Sequence, residues 1–282
     1  MPIAGMKTML QEARRTRMAV GAFEFWSLDS AQAVVEAAEE AGTPVILQAG
    51  SIECAFAGMK NLVEAARRTA EAASVPVALH LDHAERIDLV RAAIDAGFTS
   101  VMIDASGRPF DENVAMTRQV VAMAAAAGVD VEAELGRLPG TEGGAVTEEG
   151  DDALTDPDEA ARFVRETGID ALAVSIGTRH GFYRSTPRID LDRLARIADR
   201  VSLPLVLHGG SGTPPDKIVA AIALGIAKVN ICTEFIAAFG RSYCDEQARD
   251  GFRYSVPALF GPAKEAGRRL ALSRIRLFQG RT

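Results

Sequence analysis

Residues 75–104 read VPVALHLDHAERIDLVRAAIDAGFTSVMID, and this stretch decides the fold class. The apolar runs at 75–82 and 99–104 have the length of strands and carry hydrophobic residues on both faces. The segment between them has apolar residues at helical spacing and ends in Gly97, a common residue at a helix C-terminus. A strand, a helix and a second strand in this order predict a βαβ unit with parallel strands.

The same unit recurs along the chain. Apolar runs of strand length occur eight times, at 18–23, 44–49, 75–82, 99–104, 129–134, 171–176, 203–208 and 227–231. We predict one (β/α)8 TIM barrel as a single domain over 1–282, with an N-terminal helix and an extra C-terminal helical segment. An open doubly wound sheet is the alternative, but residues 21–29 (GAFEFWSLD) lack the Gly-rich fingerprint of its first turn.

Composition argues against several classes of protein. The formal net charge of −7 disfavours a sequence-independent nucleic-acid binder, which needs a basic face. Three cysteines without paired spacing disfavour a disulfide framework or a cysteine-rich zinc site. The sequence has neither the apolar core of a signal peptide nor an apolar run of about 18 residues. We expect a soluble cytoplasmic protein that binds a small molecule, with no nucleic-acid or membrane partner.

Polar residues occur at the carboxyl ends of the predicted strands, which meet at one mouth of a barrel. His83 follows the third strand, His180 follows the sixth, and His208 ends the seventh. Three imidazoles from three strands predict a zinc site with an open fourth position. Each histidine alone is more typical of a hydrogen-bonded core residue, and Asp82 alone would suit the N-cap of a helix beginning near Ala84. Other residues at strand ends are Asp104, Glu132, Glu134 and Asn230.

Short loops, two of them containing glycine pairs or single glycines, follow three of the later strands. The loops HGGSG (208–212) and VNICTE (229–234) follow the seventh and eighth strands, and GTRHGF (177–182) surrounds His180. A glycine pair alone indicates an ordinary turn. Barrel enzymes, however, commonly bind phosphate after strands seven and eight, through backbone N–H groups and a helix N-terminus. The two loops together therefore predict a phosphate site.

One long irregular stretch, LGRLPGTEGGAVTEEGDDALT, spans residues 135–155. A loop of this length in a compact barrel is usually either a functional lid or a disordered segment. We expect it to lie beside the mouth, because it follows the fifth strand.

These motifs resemble those of a known family. HLDHAERI, GFTSVMIDAS, VEAELG, IGTRHGFY, LVLHGGSG and KVNICTE are similar, in order and in spacing, to motifs of class II, zinc-dependent ketose-bisphosphate aldolases. The tagatose-bisphosphate branch is the most similar, and the resemblance runs from about residue 18 to the C-terminus. It implies reversible cleavage of a ketose (bis)phosphate to dihydroxyacetone phosphate and an aldehyde. It also implies a homodimer or homotetramer.

The resemblance implies a metal site as well. His83, His180 and His208 would hold one catalytic zinc ion per chain, with Asp104 and Glu134 as supporting or alternative metal ligands. Cleavage of a C–C bond beside a ketone leaves negative charge on an enediolate, which zinc stabilises as a Lewis acid. A monovalent cation is a further candidate cofactor.

Other residues are matched to proton transfer and to phosphate binding. Asp82 would exchange a proton with the oxygen at the cleaved bond, and Glu142 in the long loop would move the C3 proton. His80 matches no ligand and is interpreted as a packed, hydrogen-bonded residue. The dihydroxyacetone phosphate part would contact Gly181, Gly209, Gly210, Ser211, Asn230, Ile231, Cys232 and Thr233.

The chain departs from the family pattern after the first strand. The family usually reads Ala-Phe-Asn there, whereas this chain reads AFEFW, with Glu24 and Trp26. Because an ionised carboxylate cannot donate a hydrogen bond and repels phosphate, Glu24 predicts that fructose and tagatose 1,6-bisphosphate are poor substrates. The alternative is that Glu24 points outward and has no role. Cys232 and Arg184 replace the family's common Asp and Lys.

Two other functions stay open at this point. One is a metal-dependent aldolase or lyase acting on a divergent, non-bisphosphate substrate. The other is a non-catalytic barrel that supports a partner aldolase, although such a subunit has no reason to retain three histidine ligands with Asp82 and Glu142.

Overall fold

Eight parallel strands close into a barrel in the computed structural model, which describes residues 3–138, 154–183, 187–249, 251 and 255–281. The strands are β1 (Val20–Glu24), β2 (Val45–Ala49), β3 (Val77–Ala84), β4 (Ser100–Ile103), β5 (Asp130–Leu135), β6 (Ala171–Val174), β7 (Leu205–Leu207) and β8 (Ile226–Ile231). Neighbours in sequence pair with each other, and β1 also pairs with β8. The predicted barrel is confirmed, and the open doubly wound sheet is wrong.

Helices lie outside the barrel and connect its strands. Helix α1 (Met6–Thr16) precedes β1, and α10 (Thr233–Gln247) and α11 (Val256–Phe278) follow β8, as the predicted N-terminal helix and C-terminal helical segment. The other helices are α2 (Leu28–Ala41), α3 (Ser51–Glu53), α4 (Met59–Ala72), α5 (Ile87–Ala96), α6 (Phe110–Ala127), α7 (Pro157–Thr167), α8 (Leu191–Arg200) and α9 (Pro215–Ala223), with a π-helical turn (Cys54–Gly58) before α4. Among the described residues, no helix is long and apolar enough to cross a membrane.

Local sequence signals set where these helices begin and end. Ser27 accepts the backbone N–H of Ser30 at the start of α2, which satisfies one of the amides that lack a partner inside the helix. Gly97 ends α5 with φ 109°, a left-handed conformation that glycine adopts at little cost. Gly97 thus ends the helix and allows the chain to turn toward the next strand, β4.

The barrel interior is apolar at its lower end and polar at its upper end. Helix α1 closes the lower end, where Met6, Met9 and Leu10 are buried. They pack against strand residues that are mostly small, which are Val20, Ala22, Ile46, Ala78, Ala171, Ala173, Val206 and Ala227. Burying each Met or Leu side chain stabilises the fold by ~1.5–3 kcal/mol. The buried polar side chains of the interior lie at the opposite end of the barrel, near the carboxyl ends of the strands.

Candidate metal centre and active site

Polar side chains fill the upper part of the barrel interior and are almost completely shielded from solvent. Those at most 2% exposed are Glu24, Gln48, His80, Asp82, Glu132, Glu134, His208, Lys228 and Asn230. Side chains alternate across a strand, so residues two apart, such as Glu132 and Glu134, face the same side. A barrel interior this polar is costly unless its groups pair with each other or with a ligand.

An irregularity in β3 turns two adjacent residues toward the mouth. On a regular strand Asp82 and His83 would face opposite sides of the sheet. The register between β3 and β4 shifts between Leu81 and Ala84, and His83 has φ 43°, in the left-handed region that non-glycine residues rarely adopt. This bulge allows the imidazole of His83 to join the interior together with the Asp82 carboxylate.

The three predicted histidine ligands come together at the mouth. One ring nitrogen from each of His83, His180 and His208 lies within 4.8 Å of the others. His208 Nδ1 and His83 Nε2 lie 2.7 Å apart. The ring of His83 packs edge-on against both other rings, with centroid distances of 4.8 Å to His180 and 4.5 Å to His208.

Carboxylates hold the far nitrogens of two of these rings. His83 Nδ1 is 2.9 Å from Asp104 Oδ2, and His208 Nε2 is 2.8 Å from Glu132 Oε1. An ionised carboxylate only accepts hydrogen bonds, so both far nitrogens are assigned as N–H donors. His83 Nε2 and His208 Nδ1 then face each other at hydrogen-bond distance, so one of them must carry a hydrogen or the two must separate slightly to bind one cation. This donor set fits zinc, whose histidine ligands commonly donate their other N–H to a carboxylate.

The electrostatics of the cluster favour the neutral form of two of its imidazoles. Burial, followed by the proximity of His83 and His208, lowers the pKa of His180 to about 3. Burial and His83 likewise hold the pKa of His208 well below its ordinary value. Burial opposes the charge of Asp104, yet hydrogen bonds from His83 and from Ser106 keep the pKa of Asp104 below its usual range. The neutral rings of His180 and His208 can each offer a lone pair to a metal.

Glu134 lies in the same cluster and has the opposite behaviour. Burial, and then the charge of Asp104, raise the pKa of Glu134 well above its ordinary value. Its Oε2 lies 4.0 Å from His208 Nδ1 and has no hydrogen-bond partner among the described residues. Glu134, Asp104 and His83 form another group whose ligand atoms lie within 4.8 Å of one another. These carboxylate oxygens could therefore also bind a metal.

Asp82 is held by two amide side chains. Its Oδ2 accepts hydrogen bonds from Gln48 Nε2 at 2.9 Å and from Asn230 Nδ2 at 3.1 Å. Its Oδ1 has a longer contact with Asn230 Nδ2, at 3.4 Å. His80 Nε2 is 3.7 Å from Oδ1, and the other nitrogen of that ring contacts Ser100 Oγ at 2.9 Å. Oδ1 is therefore the oxygen better placed to exchange a proton. The N-cap alternative for Asp82 is wrong, since α5 begins only at Ile87.

Glu24 faces the interior, so the outward alternative is wrong. Its carboxylate is completely buried and accepts hydrogen bonds from the Gly50 amide at 2.9 Å and from Gln48 Nε2 at 3.2 Å. Gln48 thus bridges Glu24 and Asp82. Trp26 instead packs edge-on against Phe235 and Phe239, with ring centroids 5.8 and 5.1 Å away.

The loops predicted to bind phosphate lie against one another. Gly209 has φ 67°, and a Cβ there would fall 2.4 Å from the Arg179 carbonyl oxygen, so only glycine fits. The Gly210 amide donates to the Asn230 carbonyl at 3.1 Å, and a Cβ at Gly210 would meet that oxygen at 2.7 Å. The N–H of Gly210 is therefore already paired within the protein, and the position requires glycine because a side chain would not fit. Ser211 Oγ accepts the amide of Glu234 at 3.2 Å.

The residues predicted after β8 differ in their surroundings. Thr233 begins α10, so the N-terminus of that helix lies at the loop, and Cys232 just before it is buried. Ile231 is fully buried, and the Asn230 side chain is directed to Asp82. Gly181, in the loop after β6, has φ 88°.

Some predicted residues lie outside the described part of the chain, and some contacts were missed. Glu142 and Arg184 fall outside the described residues, as does most of the long loop. Sequence reasoning missed Gln48, which looked like part of an apolar strand, and Lys228, whose Nζ lies 2.9 Å from Glu132 Oε2. The only sequence signal for Lys228 was its spacing of two residues from Asn230, and Gln48 had no such polar neighbour.

Comparison with known proteins assigns the chain to a group of enzymes. A model of the family "Fructose-bisphosphate aldolase class-II" matches residues 4–281. A protein of Geobacillus stearothermophilus named fructose-bisphosphate aldolase is 42% identical over 281 residues, which cover 99% of this chain and 97% of the relative.

Solved structures agree in fold. The YdjI aldolase of Escherichia coli K12 superposes with a TM-score of 0.85 at 33% identity, covering 98% of this chain and 97% of that one. A fructose-bisphosphate aldolase of Campylobacter jejuni gives a TM-score of 0.79 at 23% identity, with 97% and 93% covered, and supports the fold alone.

Proposed function

The chain belongs to the class II fructose-bisphosphate aldolase family, and we propose that it is a zinc-dependent enzyme cleaving a ketose phosphate to dihydroxyacetone phosphate and an aldehyde. Family membership makes it an aldolase, a carbon–carbon lyase, so the non-catalytic alternative is not retained. The observation that supports zinc is the convergence of His83, His180 and His208, whose ligand atoms lie within 4.8 Å of one another, with the far nitrogens of His83 and His208 held by carboxylates.

The proposed metal site uses neutral ligands. His83, His180 and His208 would hold the ion, with Asp104 orienting one ring and Glu134 as an alternative ligand. Zinc bound there would act as a Lewis acid for the negative charge that develops on the ketone oxygen during cleavage. Imidazole ligands carry no charge, so they leave the positive charge of the ion available for this purpose.

Asp82 is the proposed acid–base group. Its Oδ1 would take the proton of the C4 hydroxyl as the C3–C4 bond breaks and return it during the reverse condensation. Gln48 and Asn230 hold the other oxygen, which keeps the carboxylate in one orientation. We propose Glu142 for transfer of the C3 proton, on the resemblance of its motif alone.

The phosphate of the dihydroxyacetone part is proposed to bind between the loops after β6, β7 and β8. The N-terminus of α10 at Thr233 favours an anion, and the loop of Gly209 lets backbone approach closely. The remaining contacts would come from Gly181, Gly210, Ser211, Asn230, Ile231 and Cys232. Because Ser211 Oγ accepts an amide hydrogen, its own hydroxyl hydrogen can be donated to a phosphate oxygen.

A divergent, non-bisphosphate substrate is the second candidate, and the position of Glu24 favours it. A buried carboxylate linked through Gln48 to Asp82 occupies the wall where the family's Asn could donate to substrate. We further propose a cytoplasmic homodimer or homotetramer, with a monovalent cation as an additional cofactor. Light scattering and metal analysis of the purified protein test these points.

A cleavage panel tests the function. Ketose 1-phosphates and fructose and tagatose 1,6-bisphosphate would be supplied to the zinc-loaded protein, with dihydroxyacetone phosphate release measured by a coupled assay. We expect cleavage that is lost on chelation and restored by zinc. Cleavage that persists with no bound metal would refute the zinc proposal, and products without dihydroxyacetone phosphate would refute the proposed reaction.

A further inference from the structure

A fully buried ion pair lies directly behind one of the proposed metal ligands. Lys228 Nζ on β8 is 2.9 Å from Glu132 Oε2 on β5, and both side chains are completely shielded from solvent. The two strands are not neighbours, since β6 and β7 lie between them, so the pair crosses the barrel interior. His208 lies just after β7. Its Nε2 is 2.8 Å from the other carboxylate oxygen of Glu132, Oε1, which accepts the Nε2 hydrogen.

Stability does not explain such a pair. Removing a carboxylate and an ammonium from water costs several kcal/mol for each ion, and apolar residues of similar volume often stabilise a core equally well or better. The lower barrel interior is filled with apolar side chains in this way. The charged pair lies next to this apolar cluster, and Glu132 contacts one of the proposed ligand histidines. Its position therefore points to a role at that histidine.

The hydrogen bonds of His208 determine which of its ring nitrogens carries the hydrogen. With Glu132 accepting the Nε2 hydrogen, the lone pair of His208 lies on Nδ1, which faces His83 Nε2 at the mouth. Without Glu132, the Asn230 amide still lies within reach of Nε2, with Nδ2 at 3.5 Å. Asn230 can only donate from that atom, which favours the other tautomer, with hydrogen on Nδ1 where a metal would bind.

We propose that Glu132 and Lys228 are positioning residues that act through His208, selecting the ring tautomer and orientation that present the Nδ1 lone pair to the metal. Glu132 supplies the acceptor, and Lys228 supplies the positive charge that keeps this buried carboxylate in place. The inference rests on the proposed zinc site. It assigns a purpose to Lys228, whose ion pair in the described structure is with Glu132 and not with one of the three proposed zinc ligands.

Three variants separate positioning from structural support. Lys228→Met and Glu132→Met each leave one buried charge without its partner, so each is expected to lower the thermal midpoint of the metal-free protein. The double variant removes both charges and should regain much of that stability, because an apolar pair can replace a buried ion pair. Its zinc dissociation constant, measured by competition with a chromophoric chelator, should remain about 10- to 100-fold weaker.

A matched control and a second measurement complete the test. Lys264→Met removes a surface ion pair with Glu36, at 2.7 Å, and should leave zinc affinity within twofold of wild type. The ¹⁵N shifts of His208 in metal-free wild-type protein should report hydrogen on Nε2, and in the double variant a shift toward Nδ1.

The results distinguish this inference from the function on which it rests. A folded double variant that binds zinc as tightly as wild type would overturn the inference and leave the zinc enzyme intact. Hydrogen on Nδ1 of His208 in the wild type would overturn it independently of any zinc measurement. A wild-type protein that binds no zinc would refute the proposed function and this inference together.

Discussion

Replacing Asp82 with Asn tests the proposed acid–base step with little change in shape. Gln48 and Asn230 both donate to Oδ2, at 2.9 and 3.1 Å. The amide oxygen of the new Asn should keep these donors, because an amide nitrogen would repel them. The new NH2 group then occupies the position of Oδ1, where it can neither accept nor return the substrate proton. The surrounding network stays in place while the acid–base group is removed.

The expected loss follows from the usual contribution of such a group. General acid–base catalysis supplies about 10²- to 10⁴-fold in rate, which corresponds to ~2.7–5.5 kcal/mol of transition-state stabilisation. We expect kcat for cleavage to fall by this factor, with KM and bound zinc nearly unchanged, because the proposed phosphate and metal contacts are made by other residues. Cleavage kinetics and metal content would be measured on the same preparation.

A surface variant provides the control. Asp88→Asn makes the same chemical change at an exposed carboxylate on α5, whose side chain is 64% exposed and paired with Arg86. It should retain full kcat. If Asp82→Asn keeps more than a tenth of wild-type kcat with its zinc bound, the proton passes through another group and the assignment of Asp82 is wrong.

Four further predictions follow from the site. His208→Ala should lose tightly bound zinc and cleavage while the barrel stays folded; full activity with unchanged metal content would contradict it. Glu142→Ala should slow C3 proton exchange of dihydroxyacetone phosphate while ligand binding persists, and normal exchange would move that role elsewhere. Glu24→Asn should raise kcat/KM for fructose or tagatose 1,6-bisphosphate by about 5- to 150-fold, on the scale of 1–3 kcal/mol for one unfavourable polar contact; no gain on either would refute this role. The pKa of Glu134 is raised in the folded state, so its contribution to stability is fully present below the unfolded pKa and is lost as pH rises from there through the folded pKa; metal-free Glu134→Gln should therefore melt about 2–5 °C higher than wild type at pH 7 but not at pH 4, as calorimetry would show.

The barrel was predictable because its determinants are local and repeated. Each apolar run followed by a helical segment gives a strand and a helix independently of the other units, and glycines such as Gly97 mark the stops. The ends of strands were less predictable. The seventh strand was predicted at 203–208 but spans only Leu205–Leu207, since Pro204 has no N–H to donate to a neighbouring strand.

The contacts between strands could not be predicted from the same signals. Sequence places Glu132 and Lys228 on inward faces, but whether they meet depends on the width of the barrel and on the volumes of all the side chains between them. Gln48 presents the same problem, since one amide within an apolar strand is compatible with either face. Its bridge between Glu24 and Asp82 appears only when the ends of β1, β2 and β3 lie side by side.

The bulge at His83 places side chains at the site that a regular β3 strand would point to opposite sides of the sheet. A non-glycine residue in the left-handed region costs on the order of 1–3 kcal/mol and persists only when its surroundings determine it. Asp104 provides much of that determination: its amide donates to the Ala84 carbonyl at 2.8 Å, and its side chain holds the His83 ring at 2.9 Å. The residue just after the adjacent strand β4 thus holds the backbone after the bulge through its amide and the ring through its carboxylate. Loss of the Asp104 carboxylate would therefore release the ring of a proposed metal ligand, while the backbone bond to Ala84 would remain.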